Sequence, residues 1–119
     1  MKYVLLIYLE EHVMSEAERE QCYTDSAQLA RQLDSKGQYL STAPLHPVAT
    51  ATSVRVRAGK SFVTDGPFAE TREQLGGFFL IDAPDLDEAI AIANQIPAAK
   101  VGTVEIRPVV EVAGLPGQL

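Results

Sequence analysis

The sequence predicts an α+β domain: one antiparallel sheet with two helices on one of its faces and a β-hairpin inserted between its halves. Three observations carry this. Residues 3–8 and 78–81 are short runs dense in β-branched, aromatic and aliphatic side chains, the composition of buried strands. Two later segments open with a helix-capping pattern, Ser15-Glu16-Ala17-Glu18 and Asp85-Leu86-Asp87-Glu88. The order strand–helix–strand then occurs twice, with an alternating polar–apolar run from Thr50 between the two halves.

The elements follow in order. Tyr3-Val4-Leu5-Leu6-Ile7-Tyr8 is nearly continuous in apolar side chains, as in a central strand covered on both faces. Residues 10–14 read as a loop. Ser15 and Glu18 form a capping box, and a helix is predicted to about Ser35 with an inner stripe of Cys22, Ser26, Leu29 and Leu33. Gly37 suits the left-handed position that ends a helix. A short strand over residues 39–42 stops at Pro44-Leu45-His46-Pro47. Residues 50–57 and 61–64, joined through Ala58-Gly59-Lys60, form a hairpin at the surface, since one of its faces is polar. A structured loop from Asp65 to Gln74 leads into the strand around residues 78–81, where Gly76-Gly77 predicts a bulge or a close approach of another backbone. Asp85 caps a second helix with Leu86, Ala89, Ile90, Ala93 and Ile96 inward and Pro97 at its end. Residues 103–112 make the last strand, interrupted at Pro108 as on an edge. One domain over residues 1–112 and a loose tail over 113–119 account for the chain. Two β-α-β halves of this kind build a ferredoxin-like layer.

Helices on one face leave the other face of residues 3–8 and 78–81 apolar and uncovered. Such a patch exceeds what monomers ordinarily expose, so a second copy packed sheet to sheet is expected to cover it. The chain has 119 residues, 46% of them hydrophobic, enough for one core. Its net charge of −6 argues against nucleic acid and anionic membrane surfaces as partners. No apolar window spans a bilayer, and the first apolar run is too short and too acidic in its flank for a signal peptide, so a cytoplasmic location is expected. Cys22 is the single cysteine, expected as a partly buried hydrophobe. His12 beside Glu10 and Glu11 lacks the HxxxH or HExxH spacing of a metal site and reads as a solvated loop; no metal and no cofactor are predicted.

The most specific run is Asp65-Gly66-Pro67-Phe68-Ala69-Glu70-Thr71-Arg72-Glu73-Gln74-Leu75-Gly76-Gly77-Phe78. It resembles the DGPF-domain proteins, a branch of the YCII-related family. Lys2-Tyr3 with Leu6-Ile7-Tyr8, Pro44-Leu45 with Thr50-Ala51-Thr52, and Val104-Glu105-Ile106-Arg107-Pro108 extend the resemblance over nearly the whole chain. It implies a dimeric α+β barrel, in which ferredoxin-like subunits pair through their sheets. A His and an Asp in a cleft beside the sheet have been suggested as the broader family's active site. Asp65 matches the acidic partner; the His has no clear counterpart, since the first helix offers Cys22 and Tyr23 and the histidines are His12 and His46. The resemblance also connects such domains with bacterial sigma factors, so a regulatory or protein-interaction module stands beside small-molecule binding.

Each candidate has a structural and a functional reading. Asp65 is a general acid–base, or it accepts backbone N–H bonds in a turn that staples the hairpin to the sheet. Gly66 and Pro67 shape the backbone in either case, and Phe68 is expected to plug an apolar gap. Among Glu70, Thr71, Arg72 and Glu73, Arg72 suits a carboxylate or phosphate while a glutamate takes a proton; alternatively the run is a solvated loop with internal ion pairs. His46 is the remaining ligand-binding candidate. The expected function is small-molecule binding in a cleft near the dimer interface, with acid–base chemistry at Asp65.

Overall fold

The computed structural model describes residues 1–117. The strands are β1 (Lys2–Leu9), β2 (Tyr39–Pro44), β3 (Thr52–Arg57), β4 (Lys60–Asp65), β5 (Gln74–Asp82) and β6 (Thr103–Pro108). The helices are α1 (Glu16–Ser35) and α2 (Leu86–Ala93), with 3₁₀ turns at Val48–Thr50 and Pro97–Lys100. β2, β5, β1 and β6 make one four-stranded antiparallel sheet in that order, while β3 and β4 pair only with each other. This is the ferredoxin-like arrangement, with the hairpin as an insertion.

The helices form where local chemistry permits them. Ser15 accepts from the Glu18 N–H at 3.1 Å and Glu18 answers by accepting from the Ser15 N–H at 2.9 Å, so two otherwise unpaired donors of α1 are satisfied. At its far end the Gln38 N–H donates to the Leu33 carbonyl and Gly37, at φ +72°, to that of Asp34, the Schellman arrangement. Asp85 caps α2 by accepting from the Glu88 N–H at 2.9 Å. The reciprocal half of that second capping box is absent, because the Glu88 carboxylate faces Gln38 instead.

The core lies between the helices and one sheet face. Tyr3 and Leu5 of β1 stand opposite Ile81 and Phe79 of β5, and Leu29 and Leu33 of α1 pack with them. From α2 and its exit come Ala89, Ile92, Ala93 and Ile96. The buried stripe of α2 is thus rotated from the expected one: Leu86 and Ile90 are exposed and Ile92 is buried. The short helix breaks off after Ala93, and the turn that follows decides which face reaches the sheet. Burying side chains such as Phe79, Leu5 or Ile81 stabilises by about 1.5–3 kcal/mol each. On the opposite face, Val4 and Leu6 stand against Leu80 and Phe78, only half-buried, with Glu105 and Arg107 of β6 alongside. β6 ends at Pro108, sooner than expected, and residues 109–117 add no helix or strand. Residues 118 and 119 of the expected tail lie outside the described residues.

Two of the glycines in close approach to other atoms lie at the start of β5. The β1–β5 register slips between Ile7 and Tyr8, leaving Gly76 as the extra residue opposite them, and a side chain at Gly77 would meet the Ala43 carbonyl oxygen of β2 at 2.9 Å. The Gly77→Ala variant is therefore expected to lose about 1–3 kcal/mol, because it presses on backbone. Gly76→Ala presses instead on the Leu9 side-chain tip, which can turn away, and should cost clearly less. Urea titrations of the two variants check the order; equal losses would refute the close-approach account.

Candidate functional site

The bulge leaves space beneath α1. The result is a cavity of about 330 Å³ between the N-terminal half of α1 and the ends of β1, β2 and β5. Its lining takes Gly76 and Gly77 from the sheet and, among the α1 residues, the small side chains of Cys22, Ser26 and Ala27. Its floor and walls are apolar, with Ile7, Leu9, Leu75 and Phe79 among them. Polar groups gather from three segments: Glu11 and His12 from the loop after β1, Arg19 and Tyr23 from α1, and His46 from the loop after β2. The two loops are tied together, because Glu11 Oε2 accepts from the Val48 N–H at 2.8 Å.

A second, more open cavity of about 400 Å³ adjoins the first and shares Glu11, His12 and Gln74 with it. Arg72 and Glu10 stand on its rim and form an ion pair through Arg72 Nε. The polar run of the loop is largely engaged in holding that loop. Thr71 Oγ1 donates to the Glu73 carbonyl at 2.6 Å, and Glu73 Oε1 accepts from Thr103 Oγ1 at 2.8 Å, fastening the loop to the start of β6. Glu70 is exposed. With the Arg72 side chain 89% exposed, its pairing with Glu10 contributes little to stability.

The structure brings His46 and Arg72 to the adjoining cavities and leaves Asp65, Gly66, Pro67, Phe68, Glu70, Thr71 and Glu73 out of both linings. Asp65 is the exposed last residue of β4, opposite Thr52. Gly66, at φ +101°, donates its N–H to the Ala51 carbonyl at 2.8 Å and accepts from Ser53 Oγ at 2.8 Å, closing the base of the hairpin. Phe68 fills no apolar gap in this chain; it is 79% exposed. Within the segment, Gly66 makes the bonds to Ala51 and Ser53 through its backbone. Cys22 and Ser26 belong to the inner stripe expected of α1, yet they line the cavity. Their small size, together with the double glycine, was the signal. Among the described residues no group of His, Cys, Asp and Glu is arranged to hold a metal ion, and no helix is long and apolar enough to cross a membrane.

Burial pushes the Cys22 thiol above its ordinary pKa, helped by nearby Asp25 and opposed by a hydrogen bond with Ser26. A raised pKa means less thiolate at any given pH. Alkylation of Cys22 at pH 7.5 is expected to be slower than that of a free cysteine peptide, with its rate climbing only at higher pH. Rates as fast as the peptide's across pH 7–9 would contradict the burial of this wall.

The YCII-related domain family matches residues 1–113 of the chain. An uncharacterised protein of Rhizobium meliloti (strain 1021) is 40% identical over 113 residues, covering 91% of each chain. With the ferredoxin-like sheet, the hairpin insertion and a match over nearly its whole length, this chain belongs to the YCII-related family.

Proposed function

We propose that this protein binds a small, largely apolar molecule carrying an anionic group in the cavity between α1 and the sheet. The observation that carries the reading is the juxtaposition of Gly76-Gly77 with Cys22, Ser26 and Ala27, which keeps an apolar space open beside convergent polar groups. Arg19 supplies a cation at the rim, and His12 and His46 supply ring nitrogens. Only Glu11 opposes an anion there, and one of its oxygens already accepts from Val48. The apolar walls favour an aliphatic or aromatic body, and the rim orients its charged end. Proton transfer to such a ligand falls to His46 or His12, which line the cavity, rather than to Asp65, which does not.

The reading includes a homodimer. Val4, Leu6, Phe78 and Leu80 form a contiguous apolar strip on the sheet face away from the core, and pairing with the same strip of a second copy would remove it from water.

Thermal-shift screening with short-chain and aromatic carboxylic acids is expected to raise the melting temperature of the wild type. The Ala27→Phe variant, which fills the cavity from an exposed helix position, should abolish the shift while melting near the wild type. A ligand that stabilises both proteins equally would place binding elsewhere. For the dimer, Leu6→Lys should convert a wild-type dimer to monomer in sedimentation velocity at about micromolar concentration, roughly the range in which specific dimers persist. A wild-type monomer would remove this half of the reading.

A further inference from the structure

The β3–β4 hairpin stands apart from the domain. Its strands bond only to each other, and every residue of the two strands except Ser53 is exposed. Strands of this length extend about 20 Å, and the molecule is correspondingly spread. Its radius of gyration is 16.0 Å and its extents 46 × 43 × 21 Å, against about 13–14 Å expected for the radius of a compact chain of this size. A lone two-stranded hairpin is marginal in water, because neither face is covered.

The register sorts the hairpin's side chains into two unlike faces. Val54 stands opposite Val63 and Val56 opposite Ser61, so these four share a face with Thr52 and Asp65. Val54, Val56 and Val63 are each more than 60% exposed there. The other face holds Arg55, Arg57 and Lys60 beside Phe62. Residues 52–65 contain three cations and one anion, Asp65, in a chain of net charge −6, so the hairpin carries +2 and the remainder −8. The turn itself is strained in favour of a tight, projecting tip: Ala58 and Gly59 both have positive φ, 51° and 75°.

We propose that this hairpin is an arm that clasps a second copy of the chain, with Val54, Val56 and Val63 laid on the partner's body. Two features select that occupant. The valine face needs an apolar surface, and outside the sheet strip the body of the chain exposes Val13, Tyr23, Leu45 and Leu75. The arm's positive charge is complementary to the strongly negative body of another copy, which steers approach and disfavours two arms meeting face to face. Phe68, at the arm's base and exposed, extends the apolar contact. The arm rests on the reading that the chain pairs with itself, but not on the sheet faces being the main contact.

The deciding experiment is isotope-filtered NOE spectroscopy on a mixture of methyl-labelled and unlabelled chains, with sedimentation velocity on the same sample. A dimer with intermolecular cross-peaks from the Val54, Val56 and Val63 methyls is the expected result. The double variant Val54→Thr/Val63→Thr keeps β-branched shape in both strands and should raise the dimer dissociation constant at least about tenfold, the factor that each ~1.4 kcal/mol represents. A dimer without those cross-peaks overturns the arm and leaves sheet pairing standing. Cross-peaks that persist in a dimer unaffected by Leu6→Lys keep the arm and remove the sheet pairing. A wild type that is monomeric at all concentrations overturns both.

Discussion

The antiparallel pairing of β1 with β5 joins the first strand of the chain to the fifth and sets the terms for everything packed around it. In register, it places Tyr3 and Leu5 beside Ile81 and Phe79 on one face, and Val4 and Leu6 beside Leu80 and Phe78 on the other. The first set has no stable position outside a core, so both helices are drawn onto that side. β2 and β6 then add at the edges, β2 closely enough to β5 that only glycine fits at position 77. The second set is left half-buried.

The same pairing makes the cavity. A bulge at Gly76 ends the regular register just where α1 turns small residues toward the sheet, so packing stops short of close contact. A void among apolar side chains forfeits dispersion energy, and chains under selection for stability alone would fill it. Here the gap is edged by Arg19, Glu11, His12 and His46, drawn from three separate segments. Convergence of that kind is the ordinary form of a small-molecule site.

The Asp65–Phe68 segment lies apart from the cavity. Gly66 closes the base of the β3–β4 hairpin through its own N–H and carbonyl, and Asp65 and Phe68 are left facing solvent. The exposed phenylalanine and valines and the three cations of this hairpin, against an acidic body, are the observations on which the proposed arm rests.

The sequence by itself determined the elements whose causes are local. The Ser15–Glu18 capping box, the Gly37 stop, the Asp85 cap and a hairpin turning at Ala58-Gly59 all follow from side chains within a few residues of one another. Strand–helix order together with the two-faced residues of β1 and β5 sufficed for the ferredoxin-like sheet. Non-local matters were beyond it. Which side of α2 is buried depends on where the helix breaks, so Ile92 displaced Ile90 inward. Arg72 and Glu10 are far apart in the chain, and their pairing exists only once β1 and the loop before β5 lie side by side. The cavity is the clearest case. Cys22 and Ser26 occupy helix positions that ordinarily pack, and nothing local reveals that two glycines of a strand line the same cavity. Only the tertiary structure, by setting small residues over a bulge, decided that the gap would stay open.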